Sequence, residues 1–186
     1  MSLRIISGDL RGKKLNSVRG AAIRPTADRL REAIFNILSL CVQDAVVLDL
    51  FAGTGALGIE ALSRGAESAV FVENNNEAVS IIERNVRSCG FDGKTNIIRW
   101  NIKKNLDCLK YRKPAFDLAF LDPPYQLGMV KPALLNLHRS KSLQKETKIV
   151  VEHSNREAVP KDLSAFEIID QRRYGKTLVS FLKYAV

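Results

Sequence analysis

Two periods alternate along the chain. Leu30, Ala33, Ile34, Ile37, Leu38 and Cys41 fall at the i, i+3, i+4, i+7 spacing of an amphipathic helix, with Thr26 placed to cap its start after Arg24-Pro25. Beyond it, apolar runs at 45–50, 68–73, 96–99, 115–122 and 148–152 are separated by helical patterns at 57–63, 77–89, 103–109 and 130–138. Runs such as Val46-Val47-Leu48 are continuous rather than alternating, as expected when helices cover both faces of a parallel sheet. Gly65 and Gly90 stand where helix C-caps belong. The tail changes character: β-rich runs at 166–171 and 178–182 flank Arg172-Arg173-Tyr174-Gly175-Lys176, which reads as a closing hairpin. The pattern predicts one doubly wound α/β domain over residues 25–186, preceded by an extension of strands and turns over residues 1–24.

Composition fits that picture. The chain has 186 residues, 46% of them hydrophobic and 26% charged, enough to bury a core without help from metal or disulfide. No segment approaches the roughly 18 to 20 consecutive apolar residues needed to span a bilayer, and the N-terminus shows no signal-peptide pattern, so a cytoplasmic protein is expected. Cys41, Cys89 and Cys108 lack CxxC spacing and sit in or beside apolar runs, which predicts reduced core thiols. His138 and His153 have no neighbouring ligand residues, so no metal site is expected.

Charge changes the picture more. The formal net charge is +9, and residues 1–31 hold eight of the cations against only Asp9 and Asp28. Such a segment attracts a polyanion or simply solvates a surface. Its sign asymmetry, with Gly8, Gly12 and Gly20 breaking it into turns, favours nucleic-acid contact. Arg4, Arg11, Lys13, Lys14, Arg24, Thr26 and Arg29 are the candidate contacts, although Arg24-Pro25-Thr26 serves equally as a helix entry.

The chemistry gathers at two strand ends. The first strand runs into Asp49-Leu50-Phe51-Ala52-Gly53-Thr54-Gly55-Ala56-Leu57-Gly58, a GxGxxG turn in its required strand-to-helix context. Twenty residues after Gly53, Glu73 ends the second strand, placed to accept hydrogen bonds from both hydroxyls of an adenosine ribose. The turn alone does not separate a dinucleotide from S-adenosylmethionine. Asp49 favours the latter, since a carboxylate there repels a pyrophosphate and suits an ammonium and a sulfonium.

The fourth strand ends in Leu121-Asp122-Pro123-Pro124-Tyr125. An exocyclic amine on a purine is a poor nucleophile because its lone pair is delocalised into the ring. Two acceptors aimed at its hydrogens draw the nitrogen towards tetrahedral geometry. Asp122 offers a carboxylate and Pro123 a carbonyl, Pro123 and Pro124 stiffen the turn, and Tyr125 gives the base a ring to stack on.

On these residues the chain resembles the bacterial small-subunit ribosomal RNA guanine-N2 methyltransferases of the RsmD type, within the class I S-adenosylmethionine-dependent enzymes. The glycine turn and Asp122-Pro123-Pro124-Tyr125 match the broad amino-methyltransferase class. The narrower signature is N-terminal: Arg4-Ile5-Ile6-Ser7-Gly8, Arg11-Gly12-Lys13-Lys14-Leu15, and Arg24-Pro25-Thr26 with Arg29, Arg31-Glu32-Ala33 and Phe35-Asn36. The resemblance implies a mostly parallel seven-stranded sheet with a reversed last strand and S-adenosylmethionine as donor, bound by Asp49, Phe51, Gly53, Thr54, Gly55, Glu73, Asn74 and Asn101. It also implies a guanine of small-subunit rRNA as target, presented on the 30S subunit or an assembly intermediate; a monomer is expected. One departure is Trp100-Asn101, where the class often carries an acidic residue for the adenine amine; the Asn101 side-chain oxygen can still accept that bond. A DNA adenine-N6 methyltransferase and a non-catalytic RNA-binding assembly factor remain the alternatives.

Overall fold

The computed structural model describes residues 3–17, 25–125, 127–160 and 162–186, with the side chains of residues 25–27 excepted. Its strands are β1 (Val46–Leu50), β2 (Ser68–Glu73), β3 (Thr95–Arg99), β4 (Phe116–Leu121), β5 (Leu143–Ser154), β6 (Phe166–Tyr174) and β7 (Thr177–Tyr184). Its helices are α1 (Pro25–Leu38), α2 (Ala56–Ser63), α3 (Asn76–Cys89) and α4 (Val130–Ser140). The strands form one sheet in the order β3-β2-β1-β4-β5-β7-β6, parallel from β3 to β5, with β7 antiparallel to both neighbours.

The continuous apolar runs are explained by the two cores. Val47, Phe71, Leu118 and Phe120 point to one face, where Ile34, Phe35, Ile59, Leu62, Ile82 and Val86 of α1, α2 and α3 cover them. Val46, Leu48, Leu50, Val70 and Leu121 point to the other, under Val130, Leu134 and Leu137 of α4 and under Ile102 and Leu106. Every residue of β1 is therefore buried. Helix α3 is fixed at both ends: the Asn75 side chain accepts from Ala78 N–H at 3.1 Å, and Gly90 closes it with φ 72°.

The N-terminal extension packs into this domain. Leu3, Ile5 and Leu15 join the first core, and a small hairpin is tied by Ile5 N–H to the Lys13 carbonyl (2.9 Å) and Leu15 N–H to that of Leu3 (2.9 Å). Glu60, fully buried on α2, accepts from the N–H groups of Ile6 (2.8 Å) and Ser7 (3.0 Å). Gly8 runs so close to α2 that a Cβ there would lie 1.8 Å from the Ser63 carbonyl oxygen, in a backbone with φ +81°.

Several expectations need correction. Residues 103–109 do not form a helix but turns and one 3-10 turn at Asp107–Leu109. The Asn101 side chain accepts from Lys103 N–H and that of Asn105 from Asp107 N–H, local bonds that compete with helical ones. Helix α1 begins at Pro25, so Thr26 lies inside it rather than at its cap; Arg24 lies outside the described residues. Its buried face carries Leu30, Ile34, Phe35 and Leu38, while Ile37 is exposed. The chain then tightens into a 3-10 turn at Ser39–Val42, which buries Val42 and leaves Cys41 exposed, not in the core; Cys89 is buried and Cys108 half-buried. Strand β5 runs well past both ends of the expected 148–152. Among the described residues, no helix is long and apolar enough to cross a membrane and no group of His, Cys, Asp or Glu could hold a metal.

Candidate active site

The strand order reverses between β1 and β4, and in open α/β sheets the crevice at such a switch point, beyond the carboxyl ends of the strands, is where ligands sit. The loops after β1 and β4 are the two that the sequence singles out. The β1 loop is held tightly: Gly55 N–H bonds the Ala52 carbonyl at 2.7 Å and Ala52 N–H that of Val72 at 3.3 Å. Phe51, with φ 59°, occupies the left-handed region that costs a side-chain-bearing residue about 1–2 kcal/mol, a strain typical of ligand sites.

Gly58 lets α2 settle on the sheet. A Cβ there would fall 2.4 Å from Cε1 of the fully buried Phe71 ring and 3.2 Å from Asp49 Oδ2. Gly58→Ala is therefore expected to destabilise the fold by about 1–3 kcal/mol through overpacking, read from the denaturant midpoint. An unchanged midpoint would mean that Phe71 moves freely.

Asp49 lies 1% exposed beneath the turn, and its Oδ2 accepts from Gly58 N–H at 2.9 Å. Burial, abetted by the charge of Glu73 and opposed by the Gly58 bond, pushes its carboxyl up to about 7. Glu73 is clamped by three backbone donors, Gly53 N–H (2.9 Å), Asn74 N–H (2.7 Å) and Asn75 N–H (2.9 Å), so its carboxylate is preset before any ligand arrives.

A cleft of about 860 Å³ opens in front of these loops, lined by Phe51, Glu73, Asn74, Asn101 and Ile102 at one end and by Asp122, Pro123, Pro124, Tyr125 and Glu152 at the other. A second cleft, of about 610 Å³, lies between α1, the β1 loop and the β6–β7 hairpin, bounded by Leu30, Arg31, Thr54, Tyr174, Lys176 and Thr177. The two share Asp122, Tyr125 and Glu152. This junction brings the expected cofactor end and the expected amine end of the site together. Gly53 and Gly55 shape the turn behind it, and Thr54 faces the second cleft.

Glu152 was not singled out from sequence, although the apolar run ending at residue 152 put it at the carboxyl edge of the sheet. In the parallel pairing of β4 with β5, Leu121 faces Val151, so Asp122 and Glu152 follow side by side. Tyr125 Oη donates to Glu152 Oε1 at 2.7 Å and lies 3.0 Å from Thr177 Oγ1, which fixes the half-exposed ring. Asp122 is exposed in the cleft, with Glu152 beside it on the neighbouring strand. Burial first, then the charges of Glu152 and Asp49, raise it well above the ordinary carboxylate range. Glu152 is raised too, mainly by burial.

Among the candidate polyanion contacts, Arg4, Arg11, Lys14 and Arg29 are exposed and Lys13 half-exposed; Arg4 lies 3.6 Å from Asp28. The Thr26 side chain and Arg24 lie outside what is described. Asn85 couples the extension to the glycine turn, donating to the carbonyls of Asn16 (3.1 Å) and Thr54 (2.9 Å) while accepting from Asn16 N–H (2.7 Å).

Comparison with known proteins finds methyltransferases among the relatives of this chain. Residues 3–183 match the family described as Conserved hypothetical protein 95. The chain is 33% identical over 181 residues to Bacillus subtilis YlbH, provisionally assigned as an rRNA methyltransferase, covering 97% of this chain and 98% of that one. It is 34% identical over 158 residues to the ribosomal RNA small subunit methyltransferase D of Escherichia coli, covering 85% and 78%. Among solved structures, Escherichia coli yhhF, a provisionally assigned methyltransferase, superposes with a TM-score of 0.87 at 27% identity over 100% of this chain and 99% of that one.

Proposed function

Because the chain belongs to the RsmD family, described as Conserved hypothetical protein 95, we propose that it transfers a methyl group from S-adenosylmethionine to the exocyclic N2 amine of a guanine in small-subunit ribosomal RNA. The observation that carries this reading is the meeting of two clefts at Asp122, Tyr125 and Glu152, one suited to a nucleoside cofactor and the other open to a base.

The first cleft has the donor set for the cofactor. Three of the roughly four lone-pair positions of the Glu73 carboxylate are taken by backbone N–H groups, which leaves one, on Oε2, for a ribose hydroxyl; Phe51 and Ile102 give apolar surfaces for an adenine, and Asn101 offers a polar group to its edge. Bound there, S-adenosylmethionine supplies an electrophilic methyl group on a sulfonium. The remaining work belongs to the chain. Tyr125 stacks on the target base, and Asp122 and the Pro123 carbonyl accept its two amine hydrogens, drawing the lone pair out of conjugation. The raised Asp122 carboxyl is suited to take the proton that the nitrogen sheds after attack. The base must reach this floor out of its stack, so the target is an unpaired or flipped guanine.

The test is to incubate the protein with labelled S-adenosylmethionine and small subunits lacking their usual methylations, then analyse the nucleosides by mass. N2-methylguanosine is expected. N6-methyladenosine, formed only in a DNA control, would move the assignment to a DNA enzyme, and tight RNA binding without transfer would leave a binding factor.

Cofactor affinity carries a pH signature. Asp49, raised to about 7, is largely protonated at pH 6 and ionised at pH 8, and a cationic ligand favours the ionised form. Affinity for S-adenosylmethionine is expected to rise with pH through about 7. Calorimetry in buffers of different ionisation enthalpy should detect a proton released on binding near neutrality. Asp49→Asn, which keeps an acceptor for Gly58 N–H, should lose both effects; their persistence would mean that the cofactor's charge does not sense Asp49.

The exposed Arg4, Arg11 and Lys14 are proposed to meet RNA phosphates. Replacing all three by alanine should weaken RNA binding and reduce the salt slope by about 1 for each contact removed. An unchanged slope would assign these cations to solubility alone.

A further inference from the structure

Resting on the guanine-N2 reading, we infer that Glu152 reads the target base: one carboxylate oxygen fixes Tyr125 and the other accepts the N1–H of guanine, which makes Glu152 a specificity-determining residue of the site. Its position argues for this. Glu152 follows Val151 as Asp122 follows Leu121 across the β4–β5 pair, so the two carboxylates leave neighbouring strands about 4.8 Å apart at the sheet edge. Guanine presents its N2 amine and N1–H side by side on its Watson–Crick edge. With the amine at Asp122 and Pro123, the proposed arrangement sets the neighbouring N1–H towards the next strand, where Glu152 is half-buried at the junction of the clefts.

The hydrogen bonding leaves Glu152 free to do this. Oε1 is engaged by Tyr125 Oη at 2.7 Å, with Thr177 holding the same hydroxyl at 3.0 Å, and no described residue bonds Oε2. The carboxylate that holds the Tyr125 hydroxyl thus stands at the edge of the ring on which the base is proposed to stack. The discrimination follows from the donor and acceptor pattern. Guanine N1 carries a hydrogen, whereas N1 of adenine and of 2-aminopurine is a bare acceptor that repels a carboxylate. A polar group built to pair with a substrate hydrogen rejects the analogue lacking it, because the site's own group is then left unpaired.

The experiment uses small-subunit RNA, assembled with its proteins, carrying at the mapped target position either guanine or 2-aminopurine. The latter keeps the 2-amine but lacks N1–H. Methyl transfer to each is measured for the wild-type enzyme, Glu152→Gln and Tyr125→Phe. The wild type should prefer guanine by about 100-fold or more. Glu152→Gln, whose amide can donate to a bare N1, should cut kcat/KM on guanine at least about tenfold and raise it on 2-aminopurine, collapsing or inverting the ratio. Tyr125→Phe should slow both substrates and keep the preference. If Glu152→Gln slows both equally, with the ratio intact, Glu152 is only a brace for Tyr125 and the inference is overturned. If the wild type accepts both equally, it is overturned as well. A methyl group found by mass analysis at another atom of the wild-type product overturns the guanine-N2 reading itself, and this inference with it.

Discussion

Asp122→Ala is expected to lower kcat by about 100- to 1000-fold, the scale seen when one preorganised polar partner of a developing charge is removed, while S-adenosylmethionine affinity changes little. In the proposed mechanism the methyl acceptor would lose one of the two groups that pull its nitrogen out of conjugation, and the carboxyl proposed to take its proton. Stability should move the other way. Asp122 sits beside Glu152 and Asp49, and removing one of three crowded carboxylates relieves repulsion, so the variant should unfold at a denaturant concentration no lower than the wild type. Single-turnover transfer and calorimetry separate these effects. Full transfer by Asp122→Ala would end its catalytic assignment. The same crowding sets the pH profile: Asp122 must be ionised to accept hydrogens, and its carboxyl is raised, so activity should fall as pH drops while still well above the ordinary carboxylate range.

Glu60→Ala should cost about 3–5 kcal/mol of stability, the scale for breaking a buried ion pair on one side. Glu60 is fully buried and bonds Arg64 Nε at 2.7 Å as well as the N–H groups of Ile6 and Ser7, while Arg31 Nε lies 3.9 Å away. Arg31 is only 6% exposed; its Nη2 donates to the Arg4 carbonyl at 2.6 Å, and its Nε makes no hydrogen bond. Without Glu60, a buried guanidinium loses its closest countercharge on α2 and the N-terminal hairpin loses two acceptors at once. Glu60→Gln should recover only part of the loss, since its amide presents a donor to a site filled with donors. Denaturant unfolding measures the effect. RNA affinity should fall with it, because the cations of the extension would no longer be held against the site. A loss below about 1 kcal/mol, the value of an exposed pair, would show that the extension docks through Leu3, Ile5 and Leu15 alone.

The parallel sheet was legible in the chain because burying a strand on both faces favours a near-continuous apolar run, as in Val46-Val47-Leu48 of β1, Ala69-Val70-Phe71-Val72 of β2 and Leu118-Ala119-Phe120-Leu121 of β4. The glycine turn, Glu73 and Asp122-Pro123-Pro124-Tyr125 were legible for a similar reason: each is a local requirement met by residues within a few positions of a strand end. Where local hydrogen bonds compete with a helical period, as at Asn101 and Asn105, the pattern misled. The same happened at Cys41, where a 3-10 turn shifted the stripe off its face. Glu152 and Glu60 could not be recognised from their neighbours, since their roles depend on partners 27 and 54 residues away. By itself the sequence determined which residues form strands, turns and a candidate chemistry, because those follow from periodicity and short-range sterics. Only the tertiary structure decided that two clefts meet at one junction and that a buried carboxylate anchors the basic extension, because long-range pairing is fixed by strand register and burial, which no single stretch of chain encodes.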